Sequence, residues 1–304
     1  MKKYVVFDWG GQFLKYAYMN EDATILEKDK LVTPSKKSTK EEFYCVLDQA
    51  VKKYDTVDGI AISSSGIIDS LQGTMITVGA FPYLSGVCIK KDLEERYGVP
   101  VTIENDGKCA VLAEYWKGNL QGVQDGAVML IGTNIGGGIL LDGKLRRGKD
   151  FFAGEYSGVC IDYRHPSDPD SYIAELGSFG LCHRVMGYME LDEEINGEQA
   201  FTYINAGDPN ALCALKEYTD ALALQIFNIN LLLNLDKFVI GGGMSQQPKL
   251  MEYLQKSIDS IPTYHPDCVA GIQLPMPTID VCKFYNDANL LGALYYSIQL
   301  KKKD

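Results

Sequence analysis

Val99-Pro-Val-Thr-Ile-Glu-Asn-Asp-Gly-Lys108 is a short apolar run that stops abruptly on two acids and an amide. Entered through Pro100, it reads as a buried strand, and residues 109–116 read as the helix that follows. Asp106 thereby sits where a strand hands over to a helix. In an open α/β sheet that edge collects ligands, because helix N-termini and loop backbones converge there. Alone, the segment supports two readings equally: a carboxylate presented to a ligand, or a helix cap in a plain Asn105-Asp106-Gly107 turn. Phosphate-gripping loops elsewhere in the chain would favour the first.

Working outward, residues 4–7 form an apolar strand that runs into Asp8-Trp-Gly-Gly-Gln-Phe-Leu-Lys15. A dinucleotide fingerprint or P-loop would open a helix here. Residues 13–19 are instead strand-like, and Asn20-Glu21-Asp22 turns into a third strand over 23–26. The glycines therefore occupy a hairpin, where bare backbone can approach a phosphate and Asp8 can hold a metal directly or through water. A plain β-turn beside a strand-terminal Asp explains the same residues. The pattern recurs later: strand 127–131, glycine loop Gly132-Thr-Asn-Ile-Gly-Gly-Gly138, strand 139–141 and the turn Asp142-Gly143. Two matched hairpins without an intervening helix imply an internal repeat. A third glycine cluster, Gly241-Gly-Gly-Met-Ser245, ends strand 237–240 and suits a flat base or ribose lying on backbone. Between these lie helices over 40–54, 90–97, 171–189, 211–233 and 288–300, with a polar loop Ser63-Ser-Ser-Gly66 after strand 60–62 and a last strand over 281–283. A solvated tail, Lys301-Lys-Lys-Asp304, follows.

Composition narrows the classes. The 304 residues carry a formal charge of -11 with 46% hydrophobic side chains, and no basic stripe interrupts the acidic background. Nucleic-acid binding, which depends on Lys and Arg neutralising phosphates, is therefore not expected. The first apolar run reaches a charge after four residues, shorter than a signal-peptide core, and no run approaches the ~20 residues of a membrane span. A cytoplasmic protein without membrane contact is the expectation. Eight scattered cysteines, none in a Cys-x-x-Cys pair, read as buried thiols of a reducing compartment.

The three histidines form no His-Glu-x-x-His run, and there is no Gly-x-Ser-x-Gly elbow, so zinc-peptidase and serine-triad chemistry lack their signatures. Phosphoryl transfer asks for less covalent equipment. Backbone and Mg²⁺ grip the phosphates, a hydroxyl lies in line, and a carboxylate takes its proton late. Asp106 suits the base, since an ordinary Asp pKa of ~3.9 leaves it ionised at neutral pH. Asn105 can orient a sugar.

Seven motifs in register, Asp8-x-Gly-Gly-x-x-x-Lys15, Ser63-Ser-Ser-Gly66, Glu104-Asn-Asp106, Ile131-Gly-Thr-Asn-Ile-Gly-Gly-Gly138, Ala153-Gly-Glu155, Ile240-Gly-Gly-Gly243 and Asn286-Asp-Ala288 with Leu291-Gly-Ala293, resemble the ROK family of sugar kinases and sugar-responsive repressors over nearly the whole chain. The resemblance implies a two-lobed hexokinase/actin-like (ribonuclease H-like) α/β fold with duplicated mixed sheets flanked by helices and a cleft between lobes. It divides the chain into 1–117 with 286–304, and 118–285. By family role Asp106 looks like the catalytic base. Gly66, Asn105, Glu155 and Glu175 look like sugar ligands. Gly10, Gly11, Gln12, Lys15, Gly132, Thr133, Asn134, Gly241, Gly242 and Gly243 look like the ATP site, with Asp8 near Mg²⁺. A homodimer is implied by the family alone.

Departures qualify the subgroup. Gln12 stands where the family usually has Thr, and Ser65 where it has Pro or Ala. Tyr156-Ser-Gly158 lacks the usual zinc-linked His, and no cysteine-rich zinc motif follows. No zinc site is expected, and the chain resembles the zinc-less β-glucoside kinases, which phosphorylate the 6-hydroxyl of a glucosyl unit. A glucokinase, an N-acetylmannosamine kinase and a non-catalytic sugar sensor are the alternatives. Retention of Asp106 argues against a sensor, which needs no base.

Overall fold

The computed structural model describes residues 1–301, so the end of the expected tail, 302–304, lies outside the described residues. Strand β1 (Lys3–Trp9) is buried on both faces from Tyr4 onward, as a central strand covered on each side must be. It pairs antiparallel with β2 (Phe13–Asn20), which pairs antiparallel with β3 (Ile25–Val32). After helix α1 (Lys40–Val51), β4 (Gly59–Ser64) returns parallel to β1. The hairpin β5 (Ile67–Asp69) and β6 (Thr74–Thr77) and helix α2 (Ile89–Tyr97) then lead to β7 (Val101–Asn105), parallel to β4. The resulting order is β3-β2-β1-β4-β7, and α3 (Asp106–Lys117) follows.

The chain then repeats the plan. Strands β8 (Gly126–Ile131), β9 (Ile135–Leu141) and β10 (Lys144–Arg146) are succeeded by α4 (Ser178–Met189), α5 (Gly197–Ala206) and α6 (Pro209–Leu233). Then come β11 (Lys237–Gly241), α7 (Pro248–Tyr264), the single turn α8 (Pro266–Val269), β12 (Ile279–Val281) and α9 (Ala288–Lys301). The second sheet has order β10-β9-β8-β11-β12; its β9–β8 join is antiparallel and its β8–β11 and β11–β12 joins are parallel, as the β2–β1, β1–β4 and β4–β7 joins are in the first.

Two units result. One holds Met1–Gln121, Leu145–Ala153 and the segment from Asn286 through α9; the other holds Gly122–Lys144 and Gly154–Tyr285. Each has its own core. In the first, Val5, Phe7, Trp9, Phe43, Leu47 and Ile103 pack together; in the second, Met129, Ile131, Leu215, Leu222 and Ile240 do so. Full burial of each such side chain contributes about 1.5–3 kcal/mol. In the first unit Gly292 lets α9 press its backbone against the Cys109 carbonyl of α3, where a Cβ would collide.

Several expectations are corrected. The first unit includes 145–153, where Arg147 pairs with Glu104. The strand expected at 23–26 begins at Ile25, since Ala23 has φ 77° inside a turn closed by the Asn20 N–H to the Thr24 carbonyl at 2.9 Å. The helix expected over 171–189 starts only at Ser178; before it the chain makes 3-10 turns at Pro169–Ser171 and Ile173–Leu176. The last strand is Ile279–Val281 rather than 281–283. Helix α5 and the β5–β6 hairpin are additions to the sequence reading.

Candidate active site

In the first unit, parallel register carries three strand ends to one edge. Asp8 of β1 lies opposite Ser63 of β4, which lies opposite Glu104 of β7; one step on, Trp9, Ser64 and Asn105 form the next row. Asn105 ends β7 and caps α3, so the cap belongs to Asn105 and Asp106 becomes the first helical residue. The Asn105 Oδ1 accepts the Lys108 N–H at 3.1 Å, and its Nδ2 donates to the Gly66 carbonyl at 3.1 Å. That second bond joins the end of β7 to the Ser63–Gly66 loop, whose Gly66 takes φ 105°, a backbone state costly for any other residue. Half-buried Asp106 accepts the Gly107 N–H on its Oδ1 at 2.8 Å.

Asp8 is buried, and burial pushes its carboxyl pKa up, opposed by the Lys15 ammonium and by hydrogen bonding from Asn289. Lys15 Nζ stands 3.6 Å from Oδ2 and Asn289 Nδ2 donates to Oδ1 at 3.1 Å. The hairpin beyond is tied to β3: Thr33 Oγ1 donates to the Gly10 carbonyl at 2.7 Å, and the Thr33 N–H to the Gln12 carbonyl at 3.1 Å. Gly11 and Gln12 stay exposed at its tip. A buried carboxylate flanked by the Lys15 ammonium and the Asn289 amide would suit a Mg²⁺ held through a single carboxylate or through water. Among the described residues no group of three or more His, Cys, Asp or Glu is disposed to hold a metal.

The second unit gathers the other glycines. Gly132, Thr133 and Asn134 are exposed at the tip of the β8–β9 hairpin, which the Gly132 N–H closes onto the Asn134 carbonyl at 3.0 Å. Gly241 ends β11 opposite Leu130. Gly242 follows with φ 90°, pressed so closely on the Ile131 carbonyl that a Cβ has no room. Gly243 opens a 3-10 turn whose Ser245 Oγ donates back to the Gly242 carbonyl at 2.8 Å. A cavity of about 690 Å³ is lined by Gly132, Thr133 and Gly243 together with Asn196, Glu198 and Gln247. Its size is that of a site for a small organic ligand.

Residues 4–299 match the model of the ROK family. The chain belongs to the ROK family. It is 30% identical over 302 residues to the beta-glucoside kinase of Listeria monocytogenes, with 98% of each chain covered. To the beta-glucoside kinase of Klebsiella pneumoniae it is 29% identical over 303 residues, covering 98% of this chain and 97% of that one. Among solved structures, a ROK family protein from Streptococcus pneumoniae in complex with sucrose superposes with TM-score 0.87 at 26% identity, covering 99% of this chain and 100% of that one. The duplicated mixed sheets are thus those of the hexokinase/actin-like fold.

In this ROK chain, Glu155 is half-buried and immediately precedes a 3-10 turn, Tyr156–Gly158. Tyr156 is a core side chain: its hydroxyl donates to the Gly138 carbonyl at 3.2 Å, and burial pushes the phenol pKa up. Glu175 lies in a 3-10 turn with both carboxylate oxygens engaged by Arg184, which separates it from the other sugar candidates in chemical role. The sequence reading overlooked Asn289, Arg147, Asn196 and Glu198, and placed Glu104 in a motif without giving it a role. For α5 a signal existed: Asn196 and Gln199 have capping-box spacing, and in the structure both halves of the box form.

Proposed function

We propose that this sugar kinase transfers the γ-phosphate of ATP to a hydroxyl, the 6-hydroxyl, of a hexose or of the glucosyl unit of a β-glucoside. The observation that carries the reading is the strand end Glu104-Asn105-Asp106. It lies in register with Asp8, with one amide hydrogen-bonded both to the helix it caps and to the sugar loop. Asp106 is the base: its carboxylate takes the hydroxyl proton as the bond to phosphorus forms. Asn105, Gly66 and Glu155 bind the sugar. Gly10, Gly11, Gln12 and Lys15 on the first unit, and Gly132, Thr133, Asn134 and Gly241–243 on the second, hold ATP through backbone N–H groups. Asp8 would hold Mg²⁺, which when bound neutralises charge on the phosphates. Glu175, committed to Arg184, is assigned to shaping the second unit rather than to the sugar.

The β-glucoside preference is supported by the two kinases with which the chain shares nearly its full length. ADP release coupled to NADH oxidation, with Mg-ATP and glucose, mannose, N-acetylmannosamine, N-acetylglucosamine, cellobiose or gentiobiose, tests it. Turnover preferring the disaccharides supports the reading. Turnover confined to an N-acetylated sugar would replace the substrate, and no turnover beside sugar-dependent thermal stabilisation would replace the kinase with a sensor. A homodimer is proposed from the family alone, and light scattering checks it.

A further inference from the structure

Arg147 lies outside every motif above, on the segment between β10 and Gly154, yet it meets three parts of the first unit at once. Its Nε donates to Glu104 Oε2 and to Ser70 Oγ, each at 2.8 Å, and its Nη2 stands 2.7 Å from the same Glu104 oxygen. The guanidinium lies 5.0 Å over the Tyr296 ring of α9, and the Tyr296 hydroxyl donates to the Ser70 carbonyl at 2.9 Å. Glu104 has no exposed surface, and its other oxygen accepts the backbone N–H of Asn105 at 3.0 Å. One buried carboxylate is thus anchored by Arg147 on one side and holds the main chain of the sugar-binding amide on the other. Ser70 closes the hairpin strand that follows Gly66, and Gly66 accepts the Asn105 side chain.

We propose that Arg147, acting through Glu104 and Ser70, is a positioning residue for the sugar: it holds Asn105-Asp106 and the Gly66–Ser70 segment in the spacing that sugar hydroxyls require. The inference rests on the kinase reading above for its substrate. Two features separate it from a general structural tie. The contacts converge on the sugar side, and none reaches the Gly10–Gln12 hairpin. A guanidinium fork also serves two acceptors where an ammonium would serve them as a point charge. Losing Arg147 leaves a buried carboxylate without its counter-charge, next to a chain whose placement matters at the ångström level.

Steady-state kinetics of Arg147→Ala, Arg147→Lys and the double variant Arg147→Ala/Glu104→Gln test the assignment. Arg147→Ala is expected to lower kcat/KM for the sugar about 10- to 100-fold, as loss of an outer-shell partner does, while KM for ATP stays within about twofold. Lys restores part of the loss by keeping the charge. The double variant is less impaired than Arg147→Ala, because no unpaired carboxylate remains. Sugar kinetics unchanged in Arg147→Ala would overturn the proposal, as would equal rises in both KM values without rescue by Lys. Should Arg147→Ala fail to fold, Arg147→Lys and Tyr296→Phe carry the same comparison of the two KM values. Should the wild type turn over no sugar, the kinase reading fails separately. Positioning is then read from thermal stabilisation by glucose or cellobiose, which Arg147→Ala must weaken; no stabilisation of the wild type would overturn both.

Discussion

Asn105→Ala removes one buried side chain that serves two partners. The cap on α3 is lost, and replacing an Asn cap by Ala costs about 0.5–2 kcal/mol. The Gly66 carbonyl also loses its donor at a part-buried position, adding about 1–3 kcal/mol for an unsatisfied acceptor. Together the expected destabilisation is about 2–4 kcal/mol, which for a unit of this size lowers Tm by roughly 5–15 °C. Asn105→Ser separates the terms: it keeps an N-cap acceptor for the Lys108 N–H and is too short to reach the Gly66 carbonyl. Its Tm should therefore fall less, while its KM for sugar rises at least as much as in Asn105→Ala. Differential scanning calorimetry and sugar-dependent kinetics on both variants measure the two effects. Equal Tm losses with unaltered sugar KM would refute the reasoning, because the amide would then be a cap and nothing more.

Gly242→Ala places a Cβ against the Ile131 carbonyl at φ 90°, so a loss of about 2–4 kcal/mol and a roughly tenfold rise in KM for ATP, larger than any change for sugar, are expected by urea melts and ATP titration. Asp48 on α1 accepts from both Arg96 Nε and Nη2, at 2.9 and 2.8 Å, and from the Tyr97 hydroxyl at 2.9 Å; Arg96 above all holds its carboxyl well below the usual range. A lowered folded-state pKa stabilises above the unfolded value of about 4 and is lost as pH falls below it toward the folded value. Asp48→Asn should thus cost about 1–3 kcal/mol at pH 7, and the gap from wild type should close below about pH 4 in pH-dependent urea melts. A gap that persisted at low pH would show that the loss is not ionic.

The strand-to-helix junction at Asn105-Asp106 and the two glycine hairpins were legible because each combines an apolar run with residues of special backbone freedom. The repeat of the sheet plan followed from the same feature. Strand β3 was misread because it is exposed along most of its length and carries Glu27-Lys-Asp-Lys30, so no apolar period marks it. Its true start depends on a left-handed residue at Ala23, which composition does not announce. The segment before α4 has the apolar content of a helix, but Gly177 packs against the Thr133 carbonyl, and tertiary closeness there outweighs local propensity. The ion pair of Glu175 was not legible, because the helix expected over 171–189 starts only at Ser178 and its partner, Arg184, lies nine residues away on that later element. Arg147 was invisible for the same reason at greater range, since Glu104 stands 43 residues from it in the chain. Helix α5 begins with a glycine after a run of acids, a composition that reads as loop until the capping box closes.

The central claim, that Asp106 is the base of a sugar kinase, is tested most directly by ADP release with Mg-ATP and a saturating accepted sugar, comparing wild type with Asp106→Asn. Asn keeps the size of the side chain and cannot take the proton. A fall in kcat of about 10²–10⁴-fold, with KM for ATP and Tm little changed, is predicted. A kcat within a few-fold of wild type would contradict the account and move the base elsewhere.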